Sequence, residues 1–291
     1  MSVNLKMRKR KLIILLSAKR CGSTAVFNMF QKNKSVKIFH QNQDINNWEV
    51  QFWSLGKKAL NGNTEPFKKR MKECLPFVRI KKKLTKRILF EIMDQIFTTY
   101  GPVLFDKSPQ YLGNKKAIDL LINYSQKKKI DLKLIGLIRD PKDALMSQYS
   151  LWKNYVKNDN LKRREKVWLK QYEHLEELKK KFKIPIFKYE DFSNYPERYS
   201  KKIFKYCGLS FEKKCIQHIK PISIGRFNKS ILITEKKKWM WSEDFKKHLK
   251  KYNYFKDTKY KNSTNILRIF LNEMKSSIHP NLKKKIKGII N

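Results

Sequence analysis

The sequence predicts an α/β fold: a central parallel β-sheet with helices on both faces, giving three layers. Three observations predict it. Short, continuous apolar runs recur along the chain, as strands buried on both faces require. Helical patterns separate these runs, as parallel crossovers need. The first run also passes directly into a helical pattern, "KLIILLSAKRCGSTAVFNMF", so a strand feeds a helix through a tight loop.

Taken in order, the candidate strands are Leu12–Leu16, Val36–Phe39, Val103–Phe105, Leu132–Ile138 and Ile184–Phe187. The helix after the first strand places Ala25, Val26, Met29 and Phe30 at helical spacing. From about residue 42 to 102 a helical insertion interrupts the strands, with an apolar stripe at Leu84, Ile88, Leu89, Ile92, Met93, Ile96 and Phe97. It is expected to cover the sheet edge and shape a substrate cleft. After the fourth strand, Asp140 suits a helix N-cap and Pro141 the first helical turn. A basic helix is expected over Leu161–Phe182. No repeat and no Pro/Gly/Ser linker divides the chain, so residues 1–275 read as one domain and residues 276–291 as a basic, fraying tail.

With 291 residues, 41% of them hydrophobic, the chain can build a sizeable core. Lys and Arg number 68 against 25 Asp and Glu, a net charge of +43. Such a surplus fits a polyanionic ligand, an acidic surface or a compositional habit. The lysine triplets at 81–83, 127–129, 179–181, 236–238 and 283–285 are scattered rather than gathered in one stripe. They read as solvated surface and make a nucleic-acid partner unlikely. The four cysteines form no C-x-x-C pair and the histidines are dispersed, so neither zinc nor a disulfide framework is expected. "LIILLS" is far short of the roughly 20 residues of a membrane span. Lys19 and Arg20 follow where a signal peptide would carry small residues. A cytoplasmic protein without a membrane span is expected.

The loop "SAKRCGST" reads as an anion site. The N-terminus of the following helix offers N–H groups and a partial positive charge to a phosphate or sulfate. Gly22 lets backbone approach the ligand, Ser23 and Thr24 add hydroxyls, and Arg20 adds a permanent, forked cation. Against the nucleotide-binding pattern G-x-x-x-x-G-K-[ST], Ser17 stands at the first glycine and Ser23 at the lysine. That loss argues against a magnesium–nucleoside triphosphate.

A second motif is "LKLIGLIRDPKDALMSQYSLW", again a strand followed by a helix. Arg139 leaves the carboxyl end of its strand, where open α/β sheets bind ligands. Ser147 lies about two helical turns on. Arg139 can grip a terminal phosphate bidentately while Ser147 donates a hydroxyl.

Together the two motifs resemble those of sulfotransferases that use 3′-phosphoadenosine-5′-phosphosulfate (PAPS). "RCGST" is similar to the family's sulfate-side loop, roughly [KR]-[SG]-G-[ST]-[ST], with Cys21 at the small-residue position. The strand-Arg-x₇-Ser arrangement is similar to its 3′-phosphate motif. The resemblance runs from about Lys11 to Trp241 and covers residues 42–102 poorly. It implies a P-loop-NTPase-like sulfotransferase fold, PAPS as sulfuryl donor and no metal. It also implies that Arg20, Cys21, Gly22, Ser23, Thr24, Arg139 and Ser147 bind the donor. "YEDFSNYPERYSKKIFKYCGL" resembles a later strand and helix, which would set Tyr189 near the adenine. "SIGRFNKS" resembles a basic loop closing over the 3′-phosphate, which would add Arg226.

Sulfuryl transfer to a hydroxyl needs a base, cations on the transferring and leaving groups, and in-line positioning. "WEVQFW" resembles the "KEPHFF" of carbohydrate-type members and puts Glu49 at the base, although Trp48 replaces the lysine. His40, at the end of the second candidate strand, is the competing base. "VLFDKSPQYL" resembles "EKSPxYL" and points Lys107 toward the acceptor or sulfuryl group, while Arg20 suits the bridging oxygen. These likenesses favour a saccharide hydroxyl as acceptor. The alternatives are a P-loop-type nucleotide or small-molecule kinase, which would need magnesium, and a basic nucleic-acid-binding protein.

Overall fold

The structure, a computed structural model, describes residues 9–39, 49–78, 80, 83–152, 161–219 and 241–254. The chain divides into two compact units, Met1–Ile222 and Ser223–Asn291. The first holds a five-stranded sheet in the order β2-β3-β1-β4-β5. Its strands are β1 (Lys11–Ser17), β2 (Lys37–Ile38), β3 (Val103–Lys107), β4 (Asp131–Ile138) and β5 (Ile186–Lys188). Every pairing is parallel. All five apolar runs form strands, but the second shrinks to Lys37–Ile38, paired on one side only with Leu104 and Phe105.

Strands β1 and β4 register over their length, with Ser17 opposite Leu137. Their carboxyl ends therefore lie side by side, and the loops bearing Arg20 and Arg139 leave the sheet next to each other. The connection from β1 runs to one side of the sheet while β4 lies on its other side. This is the kind of crevice where open α/β sheets take ligands.

One face of the sheet is built on β1 residues Ile13 and Leu15, β3 residue Phe105 and β4 residues Ile135 and Leu137. Against it pack Val26, Phe27 and Phe30 of α1 (Ser23–Gln31), Phe192 of α8 (Tyr189–Asn194) and Phe204 of α9 (Pro196–Cys207). Phe30 stacks on Phe105 at 4.2 Å and meets Phe204 edge-on at 5.3 Å. Burying each such side chain contributes about 1.5–3 kcal/mol.

The alternate strand residues point to the second face. There Gly136 makes room: a Cβ would sit 2.9 Å from Ile186 Cγ1 and 3.2 Å from Leu175 Cδ1 of α7 (Leu161–Phe182). Between β2 and β3 lie α2 (Phe52–Leu60), α3 (Glu65–Cys74) and α4 (Lys86–Tyr100). The apolar stripe expected from Leu84 to Phe97 is buried along α4, except for Ile88, which is half-buried. Trp53 and Phe90 both pack on Tyr124 of α5 (Lys115–Lys127), so the insertion is tied to the sheet through that helix. Helix α6 (Pro141–Trp152) follows β4, with Pro141 in its first turn and Asp140 Oδ1 accepting from Lys142 N at 2.9 Å. The basic helix falls on α7 with the bounds expected.

In the second unit, α10 (Glu243–Lys251) is capped by Ser242, whose Oγ accepts from Phe245 N at 3.3 Å. Trp241 stacks on Phe245 at 4.4 Å. Among the described residues no helix is long and apolar enough to cross a membrane. The four cysteines are free and buried.

Candidate active site

A cleft of about 710 Å3 opens at the carboxyl end of the sheet. Its floor is the turn from β1 into α1. Arg20 takes a left-handed conformation at φ 65, as does Gly22 at φ 84. No side chain caps α1; Ala25 N donates to the Gly22 carbonyl at 3.0 Å, and Ser23, Thr24 and Ala25 line the cleft. Gly22 is required twice over. Its positive φ disfavours a side chain, and an added Cβ would lie 2.3 Å from the Tyr189 ring. The first residue of α8 thus packs closely on the turn between β1 and α1.

The second motif meets the first here. Arg139 donates from Nη1 to the Arg20 carbonyl oxygen at 3.1 Å, and its guanidinium sits 5.6 Å from the Tyr189 ring centroid. Arg20 Nε in turn donates to Ser147 Oγ at 3.0 Å, and Ser147 is fully buried. Asp143 approaches Arg139 only at 3.9 Å. Arg139 Nε is buried with no hydrogen-bond partner among the described residues. Burial first, and then the positive charge of Arg139, hold the Arg20 guanidinium below its ordinary pKa. Two neighbouring guanidinium groups, an orphaned guanidinium N–H and the N-terminus of α1 together fit a multiply charged anion.

Supports behind the loop hold it in place. Gln148 Nε2 donates to the Lys19 carbonyl at 3.1 Å. The Tyr172 hydroxyl accepts from Arg139 N at 3.3 Å and lies 3.9 Å from Cys21 Sγ. Tyr172 itself stacks on Trp168 at 3.6 Å. Asp140 N donates to Glu190 Oε1 at 2.8 Å, tying the end of β4 to α8. Burial pushes the Cys21 thiol up to about 12, against the pull of the Tyr172 hydroxyl, so it is an inert packing group.

On the β3 side of the cleft, Glu49 meets the end of the third strand. Lys107, only 5% exposed, places Nζ 3.3 Å from Glu49 Oε1, and Ser108 Oγ donates to Glu49 Oε2 at 3.4 Å. Glu49 is 20% exposed and lines the cleft. Asp106, the preceding residue, points away from Lys107 and accepts from the Tyr111 hydroxyl. Burial raises the Asp106 carboxyl to about 6.

Of the residues expected from sequence, Arg20, Gly22, Ser23 and Thr24 line this one cleft, as do Glu49, Lys107, Arg139 and Tyr189. Cys21 and Ser147 are buried and do not line it, and Ser147 serves Arg20 directly. His40 and Arg226 lie outside the described residues. Sequence reasoning missed Ser108, Gln148, Tyr172 and Glu190. The first two sit inside motifs already singled out, "DKSPQYL" and "SQY". Tyr172 comes from α7 with no local signal beyond a core spacing. Among the described residues no group of three or more His, Cys, Asp or Glu is placed to hold a metal ion.

Residues 13–213 match the profile described as the sulfotransferase family. The sulfotransferase domain from the curacin biosynthetic pathway superposes with a TM-score of 0.54 at 15% identity, over 84% of this chain and 98% of that one. The sulfotransferase domain of the Synechococcus PCC 7002 olefin synthase superposes with a TM-score of 0.52 at 16% identity, over 85% and 96%. At these identities the likeness is one of fold. No curated protein sequence matches the chain significantly.

Proposed function

The chain belongs to the sulfotransferase family, and on that premise we propose that it transfers a sulfuryl group from PAPS to an acceptor hydroxyl, favoured to be on a saccharide. The observation that carries this reading is the meeting of Arg20, Ser147 and Arg139 at the turn into α1. When bound, PAPS supplies the activated sulfuryl group and leaves as 3′-phosphoadenosine 5′-phosphate (PAP). Arg139 would hold its 3′-phosphate, with its orphaned Nε available for the second bond of a fork. Arg20, Ser23, Thr24 and the first N–H groups of α1 would hold the phosphosulfate side. Tyr189, resting on Gly22, would bound the adenosine.

Glu49 is the proposed general base, taking the proton from the acceptor hydroxyl. Lys107 and Ser108 orient its two oxygens, and Lys107 also offers positive charge toward the sulfuryl group. Its burial keeps that ammonium close to the reacting centre rather than in bulk water.

Incubation with labelled PAPS, a saccharide panel and EDTA tests the proposal. Label should move to an acceptor with release of PAP, and EDTA should leave the rate unchanged. Transfer of phosphoryl from a magnesium nucleotide instead, abolished by EDTA, would replace this reading with the kinase one.

A further inference from the structure

Strand β4 pairs with its neighbours as far as Ile138, which lies opposite Lys188. The next residue is Arg139, and its N–H turns to a side chain from elsewhere in the fold. It donates to the Tyr172 hydroxyl at 3.3 Å. The same hydroxyl lies 3.9 Å from Cys21 Sγ, in the turn from β1 into α1. One group on α7 thus touches both anion motifs from behind. Tyr172 is fully buried and does not line the cleft. Its ring stacks on Trp168, one helical turn earlier, at 3.6 Å, so the hydroxyl is delivered from a packed base. A hydroxyl carries one donor and two acceptor sites, so it can accept from Arg139 N and still share a hydrogen with the Cys21 sulfur. Arg139 is therefore held at both ends, its N by Tyr172 and its Nη1 by the Arg20 carbonyl at 3.1 Å. Asp143, one turn further along the chain, stands 3.9 Å from its Nη2. With one anchor gone, the guanidinium is freer to swing toward that carboxylate and away from an anion in the cleft.

From this arrangement we infer that Tyr172 is a positioning residue for the donor: its hydroxyl fixes the backbone of Arg139 against the anion turn, and so sets the direction in which the guanidinium meets the phosphate. Phenylalanine would fill the same space and make the same stack on Trp168, so packing alone does not call for the hydroxyl. What the hydroxyl adds is the bond to Arg139 N and the contact with Cys21. Tyr172 touches no ligand in this scheme and acts through Arg139. This inference rests on the sulfotransferase reading and deepens it.

The test measures PAP affinity by calorimetry for the parent, Tyr172→Phe, Arg139→Ala and the double variant, with Tyr124→Phe as a control. Tyr124 is also fully buried, its hydroxyl donates to Asp94 Oδ1 at 2.9 Å, and it does not line the cleft. It therefore reports what the loss of a buried tyrosine hydroxyl does to the fold alone. Tyr172→Phe should weaken PAP by about three- to tenfold, and Tyr124→Phe by no more than about twofold, even where both lower the urea midpoint. In the Arg139→Ala background, Tyr172→Phe should cost no more than about twofold further, because the side chain it aims is gone. Equal PAP affinity in the parent and Tyr172→Phe overturns the inference. So does an equal loss in Tyr124→Phe, or a Tyr172→Phe loss that persists in full without the Arg139 side chain. A parent that does not bind PAP counts against the donor reading itself, and this inference falls with it.

Discussion

Arg20 Nε reaches Ser147 Oγ at 3.0 Å across 127 residues of sequence. The two segments that read as separate anion motifs in the sequence therefore meet, joined by a side-chain hydrogen bond. Ser147 is wholly buried, so its first role is to hold the guanidinium of Arg20 toward the cleft. A hydrogen bond of this kind is worth about 0.5–1.5 kcal/mol, more when one partner is charged. Ser147→Ala should weaken PAP by about three- to tenfold in calorimetry, with little change in the thermal midpoint. Unchanged PAP affinity would mean that Arg20 keeps its position without Ser147.

Glu49→Gln should lower turnover by about 10²-fold or more, the usual scale of a general-base contribution. Glutamine keeps the shape and can still accept from Ser108 Oγ, so PAP affinity should be spared. Steady-state rates and calorimetry on the same preparation separate the two effects. If Glu49→Gln stays active and His40→Ala does not, the base is His40.

At Gly22, alanine would meet the Tyr189 ring at 2.3 Å while the backbone stays at φ 84. Gly22→Ala should lower stability by about 1–3 kcal/mol in urea unfolding and loosen PAP. Adding Tyr189→Ala should relieve the clash but not the positive φ, so part of the loss should remain. A Gly22→Ala protein as stable as the parent would refute the close packing of α8 on the anion loop.

How much of this was legible in the chain follows from its physics. Strands buried on both faces are apolar without interruption, so Leu12–Leu16 and Leu132–Ile138 could be read directly. The second, read as Val36–Phe39, forms but is shorter, because only Lys37 and Ile38 find a partner. The anion loop was visible because a strand that turns sharply into a helix must use small and hydroxyl residues there. Of the cleft-lining residues, Arg20, Gly22, Ser23, Thr24 and Arg139 share two short motifs. Their supports do not: Tyr172 approaches from α7, and Glu190 from α8, through contacts that depend on how helices pack. Nor could the partner of Lys107 be read. The neighbouring Asp106 faces Tyr111, because successive strand residues point to opposite sides, and Glu49 takes its place.

The buried Asp106 makes a pH-dependent prediction. Burial raises its carboxyl to about 6 in the folded protein, against about 4 in the unfolded chain. Between those values the folded state binds more protons than the unfolded state, so this group's contribution is full below about pH 4 and is lost as pH rises through 6. Asp106→Asn removes that titration. The stability of the parent protein relative to Asp106→Asn should therefore fall by about 2 kcal/mol between pH 4 and pH 7, read from urea midpoints at each pH. A difference that is flat with pH, or that grows in the parent's favour, would show that Asp106 is not held out of water.

PAP binding to the parent protein and to Arg139→Ala, measured by calorimetry, tests the central claim most directly. If Arg139 and the turn around Arg20 grip one adenosine ligand by its two phosphates, the parent should bind PAP and Arg139→Ala should lose about 10²-fold or more of that affinity, the scale of a forked, charge-assisted contact. Equal PAP affinity in the two proteins would contradict it.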